Sequence, residues 1–572
     1  MRRRRDRKVI TMRSTLMVML VVMSMAVASC SSSDEDSTTD ESTAASETTT
    51  TAASTDDGDG DTTTTAASTE PAASGGTFTF GLATEPVSLD PADGVFISDH
   101  QVMLNIYDPL IWTDQNGELQ PGLATAWENN TEGTEFTFTL REDVVFHDGT
   151  PFNGDAVKAE FDRIPTLTDG FGASLQIMAD YTATTVDGNT VTVTFASPKP
   201  EFLTDLSRMW MAIPSPTAVE TMGDEFDRNP VGTGPFVFSE WAAQDHITLV
   251  RNDAYAWGRD FAGNGGPPLI EELVFRVLPE ASTRLSGFQT GELDAVEDPP
   301  FQQVASLVDD GTAVLKSYQA PGMPSHMMLN TEKAPTDDPL VREAMILSVN
   351  TDELSAAAFA GLQTPASNVI APTTFAFSPE AASLYTYDIE GANALLDEAG
   401  WVDSNGDGIR EKDGADMTVV YPASPDWEAP YMELFAAYLT AVGFSVDLQQ
   451  LDDAGVFEVA NAGEHNIVNM GWISSSPSVL GYVYHSANIE QGSSFTRFVD
   501  PALDAAIDGA AAAVDPVERA ALYQEAQDII MGNALAVPLY TYDRVLLLQP
   551  TADGWQFDSE GYAWLTNITV GG

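Results

Sequence analysis

Polar and apolar residues alternate along Thr77-Phe78-Thr79-Phe80-Gly81-Leu82, the two-residue period of a half-buried strand. The same period recurs over 136–140 and over 190–195, the latter just after the turn signal Asp187-Gly188-Asn189. From about residue 338 the pattern becomes helical. Asp338-Pro339 predicts an N-cap with proline in the first helical position, and the helix would turn Leu340, Val341, Ala344, Met345 and Leu347 inward. Further helices are predicted over 392–399, closed by Gly400, and over 431–442, closed by Gly443. A fourth would run from Asp515-Pro516 to about 530. The third leads into an alternating strand over 444–448. Helix, glycine and strand in this order suggest βαβ units packed as an α/β lobe.

The first 75 residues carry a different texture. Arg2, Arg3, Arg4, Arg5, Arg7 and Lys8 precede an apolar run over 16–28 that only Ser24 interrupts. The run is short for a bilayer-spanning helix, which needs about 20 residues. A basic opening followed by such a run is the pattern of a secretory signal, here 1–29. Residues 31–75 are rich in Ser, Thr, Ala, Asp and Glu, with no Lys, Arg or aromatic residue. Such a tract cannot bury enough apolar surface to offset its ordering entropy, and it reads as a disordered acidic tether.

Composition narrows the function. The chain has 86 acidic and 25 basic residues, a formal net charge of −61, which disfavours nucleic acid and anionic lipid headgroups as partners. Acidity of this kind speaks first to solubility, and secondarily to steering of cationic ligands. A single cysteine, Cys30, leaves no internal disulfide, no cysteine zinc site and no cysteine nucleophile in the body. The roughly 500 residues after the tether exceed what one core holds, so at least two lobes are expected. Neither a Gly-x-Ser-x-Gly elbow nor a His-Glu-x-x-His pair is present, and no dinucleotide or phosphate-loop signature implies a cofactor. The two-glycine segment 229–236 lacks the lysine of a phosphate loop and reads as a structural turn. Asp403-Ser404-Asn405-Gly406-Asp407-Gly408 resembles the start of a calcium loop, but its twelfth position is Gly414, so an Asx-rich turn is the better reading. The six histidines show no i, i+4 metal spacing, so structural or surface roles are their default.

Several blocks resemble one family. Pro121-Gly122-Leu123-Ala124-Thr125-Ala126-Trp127, then Phe136-Thr137-Phe138-Thr139-Leu140-Arg141 and Phe146-His147-Asp148-Gly149-Thr150-Pro151-Phe152, form the most specific stretch. Asn229-Pro230-Val231-Gly232-Thr233-Gly234-Pro235-Phe236, Thr290-Gly291-Glu292-Leu293-Asp294-Ala295, Leu329-Asn330-Thr331 and Asp407-Gly408-Ile409 follow in order. Together they resemble the bacterial extracellular solute-binding proteins of the dipeptide, oligopeptide and nickel class. Val27-Ala28-Ser29-Cys30 likewise resembles the bacterial lipobox, which implies that Cys30 is acylated after cleavage just before it; two acyl chains would give a stable anchor.

The resemblance implies an α/β, two-lobed periplasmic-binding-protein-like fold of the large cluster C type, with an extra subdomain inserted in the N-terminal lobe. The expected bounds are 76–320 for the first lobe, 321–535 for the second and 536–572 for the return. It also implies a monomeric, non-enzymatic subunit of an ABC importer. That subunit would be lipid-anchored on the extracytoplasmic face and would hand a peptide or peptide-like solute to permeases driven by cytoplasmic ATPases. A sugar, a nickel chelate or another polar solute, or coupling to a sensor, keeps the fold and changes the role; the nickel-binding relatives make His485 the best-placed histidine for a metal cargo, and an extracellular hydrolase is disfavoured. Ligand contacts are expected at Trp472 and its neighbours Ser474, Ser475 and Ser476, with Tyr107, Trp112 and Tyr540 as further aromatic candidates. Dipeptide binders carry an Asp three residues after this Trp to pair with the ligand ammonium. Ser475 stands there instead and offers only a neutral hydrogen bond.

Overall fold

A computed structural model of the full chain describes residues 75–571 apart from 95, 116, 168–172 and 491. The expected leader, Cys30 and the acidic tract up to 74 lie outside the described residues. The strand Thr77–Leu82 forms as its alternation predicts, and Phe78, Phe80 and Leu82 are wholly buried. It lies inside a seven-stranded sheet, parallel to Glu272–Val277 on one side and Ala295–Glu297 on the other. His246–Arg251 and Phe236–Ala242 extend the sheet antiparallel at one end, and Asp543–Leu548 and Val314–Gln319 at the other. The sheet thus joins strands more than 450 residues apart in sequence. Its core gathers Phe80, Phe275, Leu249, Tyr107, Trp112 and Trp564.

A second unit is inserted in this lobe. Ala124–Asn129, Glu135–Leu140, Thr190–Phe195 and Tyr181–Asp187 form a four-stranded antiparallel sheet in that order. The helix Gly154–Arg163 packs on it, and Asn153 caps that helix by accepting from the Ala156 amide at 3.1 Å. Its core is aromatic: Phe202 meets Phe195 at 4.8 Å and Phe136 at 5.0 Å between ring centroids.

The other lobe carries the predicted helices. Asp338 caps Pro339–Ser348, and Asp515 caps Pro516–Gly532 by accepting from two amides. The helix over Ile389–Glu398 begins three residues before the predicted one, where Asp388 supplies the cap. Thr418–Ala423, Met432–Ala441 and Ser445–Gln450 make one βαβ unit with parallel strands. The rest of the lobe departs from that pattern. Ile467–Ile473, Gly322–Leu329 and Ala536–Tyr540 form an antiparallel three-stranded sheet, and all eight residues of the middle strand are buried.

The chain passes between the lobes twice. It leaves the seven-stranded sheet after Gln319 and enters the three-stranded sheet at Gly322; it returns between Tyr540 and Asp543. The return therefore falls after the strand Ala536–Tyr540, which pairs with 325–328, and not at 536. The two passages touch where the Ala320 amide donates to the Tyr542 carbonyl at 3.2 Å. No helix among the described residues is long and apolar enough to cross a membrane.

Candidate functional site

A cavity of about 650 Å³ lies between the lobes. Its first-lobe wall comes from the segment 197–210 and the short helix Ala173–Ile177. Phe202 drives one face of that segment into the aromatic core, which leaves Glu201 and Asp205, on the same short turn Phe202–Asp205, at the cavity wall. Arg208 lies over the Trp210 ring, with its guanidinium carbon 4.1 Å from the centroid, and its Nε stands 3.2 Å from Glu560. Asp205 is 3.9 Å from the same guanidinium. Burial pushes the Asp205 carboxyl up to about 7, against the opposing pull of Arg208.

The second-lobe wall is built around the end of the strand Ile467–Ile473. Trp472 meets Tyr482 edge to face, 5.4 Å between centroids, and the two rings remain 37% and 43% exposed. The backbone permits this because Gly322 lies against the same strand end. A Cβ at Gly322 would stand 2.3 Å from the Trp472 carbonyl oxygen and 2.4 Å from the Ser474 nitrogen, and its φ is +114°. The Ser474 amide in turn donates to the Pro321 carbonyl at 3.1 Å, which ties the site to the first interlobe passage.

Four hydrogen bonds join the two walls directly. Ser476 Oγ donates to Glu201, and Tyr523 OH donates to Glu201 Oε1 at 3.2 Å. The Ser475 amide donates to Glu560 Oε1 at 3.2 Å, and Arg519 Nη1 donates to the Pro200 carbonyl at 3.2 Å. The lobes are thus held closed by contacts between protein groups.

Of the residues foreseen from sequence, Trp472 and Ser474 line the cavity, and Ser475 and Ser476 make the bonds just described. Ser475 Oγ is buried and has no hydrogen-bond partner among the described residues. Tyr107, Trp112 and Tyr540 are not in the cavity wall. Tyr107 is wholly buried and donates to the Leu89 carbonyl at 2.9 Å. Trp112 and Trp564 meet edge to face, and the Arg259 guanidinium packs against both, 3.7 and 3.6 Å from the ring centroids. Tyr540 packs among Phe359, Tyr431 and Tyr542. His485 is also outside the wall, paired with Asp504 and Asp508. Glu201, Asp205, Arg208, Trp210, Tyr482 and Tyr523 were not foreseen: they sit in loops or helices with no local signature, and only the fold brings them together. At the calcium-like loop, Asp403, Asp407 and Glu411 bring carboxylate oxygens within 4.8 Å of one another. The third carboxylate is thus Glu411, not a residue at the twelfth position, and Asp403 and Asn405 are engaged by amides of their own turn.

Residues 118–493 match the family model for bacterial extracellular solute-binding proteins, family 5. The chain belongs to that family. The dipeptide-binding protein of Escherichia coli K12 is 30% identical over 479 residues, 79% of this chain and 86% of that protein. A glutathione-binding protein of Salmonella typhi is 28% identical over 481 residues, 82% of this chain and 90% of that protein. In structure, NikA of Brucella suis in complex with Fe(III)-EDTA superposes with a TM-score of 0.77 at 23% identity, covering 86% of this chain and all of that one. The two-lobed α/β fold of this solute-binding protein is therefore the family's own, and the interlobe cavity is its candidate solute site.

Proposed function

We propose that this protein is the solute-capturing subunit of an ABC importer for peptides or peptide-like solutes. It would be held on the extracytoplasmic face by a lipid on Cys30, act as a monomer without catalysis, and deliver its cargo to a permease. The interlobe cavity carries the reading. Its volume is in the range of small-molecule sites, about 300–1,000 Å³, and its walls belong to lobes joined by two short passages. Closure about such passages buries a solute and presents a new surface to a partner. Relatives named for dipeptide and glutathione binding favour a peptide cargo, and Trp472, Tyr482 and Trp210 supply ring faces for its side chains. Ser474, Ser475 and Ser476 are proposed to border the ligand from the second lobe.

Thermal denaturation of the body, residues 76–572, against di- to hexapeptides, oligosaccharides and nickel chelates tests the cargo. A native-state ligand at a hundredfold excess over its Kd stabilises by about 2.7 kcal/mol. A rise in Tm with peptides alone supports this reading. A rise only with sugars or chelates would replace the cargo.

A further inference from the structure

We propose that the interlobe cavity selects solutes carrying a cationic nitrogen, received by Asp205 and Glu201 of the first lobe while Trp472 and Tyr482 of the second lobe cover the apolar remainder. The inference rests on the cavity being the solute site. Asp205 lines it with its side chain only 17% exposed, yet among the described residues that carboxylate accepts no side-chain hydrogen bond. Its nearest cation, Arg208, stands 3.9 Å away, beyond hydrogen-bond distance. Arg208 is committed elsewhere: Glu560 approaches its Nε at 3.2 Å and Trp210 covers its face. The carboxylate is thus left facing the cavity, where an ammonium or guanidinium would supply a charge-assisted donor.

The balance of the walls points the same way. Glu201, Asp205 and Asp508 face the cavity against Lys199 and Arg208. Glu560 lies directly behind Arg208 and offsets its charge. The chain's net charge of −61 would also draw cationic solutes towards the cleft. On the second lobe Ser475 stands where dipeptide binders carry an Asp, and its amide donates to Glu560 of the first lobe, so Asp508 is the second lobe's carboxylate at the wall. Glu201 and Asp205 thus bring charge from the first lobe, and Trp472 and Tyr482 bring apolar area from the second. A ligand that needs both stabilises the closed form over the open one.

The cation has two sources in a peptide, the α-ammonium and a basic side chain. Calorimetric titration of the wild-type body with Ala-Phe-Ala, N-acetyl-Ala-Phe-Ala and N-acetyl-Lys-Phe-Ala separates them. At least one of the two peptides that carry a cationic nitrogen is expected to bind about tenfold or more tightly than N-acetyl-Ala-Phe-Ala, which carries only its carboxylate, with a difference that shrinks as salt rises. Asp205→Asn should remove that difference, with a Tm no lower than that of the wild type reporting an intact fold; Asp205→Ala repeats the test without the amide. Preference for Ala-Phe-Ala identifies the α-ammonium, and preference for the lysyl peptide identifies the side chain. Equal affinity for all three peptides, or a preference that survives both variants, overturns cation selection and leaves peptide capture standing. Binding of none of the three overturns peptide cargo and this selectivity together.

Discussion

The Asp205 carboxyl is where one residue's chemistry reaches furthest. Burial pushes it up to about 7, so in the ligand-free protein it is close to half-protonated at neutral pH. A cation bound against it favours the ionised form and lowers its pKa. The empty protein then holds more protons than the complex just below pH 7. Affinity for a cationic peptide should therefore fall as pH falls through 7, by up to about tenfold per unit, and level off at the lower pKa of the complex. Stability has the opposite sign: a carboxyl raised above 3.8 costs the fold as pH rises through the window from 3.8 to 7. Glu201, Lys199, Arg208 and Glu560 bear on Asp205, and Asp508, paired with His485, faces it from the other wall. Glu160 and Glu428 are also pushed up to about 7, but neither lines the cavity, so affinity is the cleaner readout. Titrations of the lysyl peptide at pH 5.5 and 7.5 check the slope. A wild-type slope that Asp205→Asn leaves intact would assign the effect to another group.

At the scale of elements, the first interlobe passage shows how the backbone places the site. Gly322 enters the second lobe against the carbonyl of Trp472, at a φ that a side chain rarely adopts. Gly322→Ala would force the passage and the end of the strand Ile467–Ile473 apart, and backbone strain alone costs about 1–3 kcal/mol. A lower Tm together with weaker peptide binding is the expected outcome. A variant that loses stability but keeps its affinity would show that the strand end does not position Trp472 for the ligand. The same passage marks the limit of what periodicity reveals. Thr77–Leu82 and Thr190–Phe195 were legible because half-buried strands alternate. Pro339–Ser348 and Pro516–Gly532 were legible because Asp-Pro caps announce a helix. Gly322–Leu329 was not: buried along its whole length, it has no alternation to read. Trp472 was reached through the family resemblance. Glu201 and Asp205 were missed because their role arises from Phe202, whose burial in the inserted unit turns them towards a lobe distant in sequence. Trp112, a further aromatic candidate for which packing was always the alternative, packs instead with Trp564 against the Arg259 guanidinium.

For the whole molecule the question is what holds the lobes shut before cargo arrives. Glu201, Glu560 and Pro200 on the first lobe accept hydrogen bonds from Ser476, Tyr523, Ser475 and Arg519 on the second. Most of these groups border the cavity, so altering them would change binding and closure together. Arg519 does not line it. Its bond reaches the Pro200 carbonyl at the first-lobe wall, so its loss removes an interlobe contact without removing a side chain of the cavity lining. A hydrogen bond contributes a net of about 0.5–1.5 kcal/mol, which for Arg519→Ala predicts a closed-to-open ratio lower by about two- to tenfold, and an apparent affinity lower by at most that factor. Cys30 is the chain's sole cysteine, so a body starting at residue 76 accepts a dye pair at two introduced cysteines without interference. With Asp187→Cys on the inserted unit and Asp413→Cys on the second lobe, single-molecule energy transfer reads the separation of the lobes. The ligand-free wild type should show a closed fraction that Arg519→Ala reduces, and saturating peptide should restore the same closed distance in both. Lost affinity with an unchanged distance distribution would mean that Arg519 acts on the ligand and not on closure. An unchanged affinity and distribution would mean that the other three contacts suffice to hold the lobes.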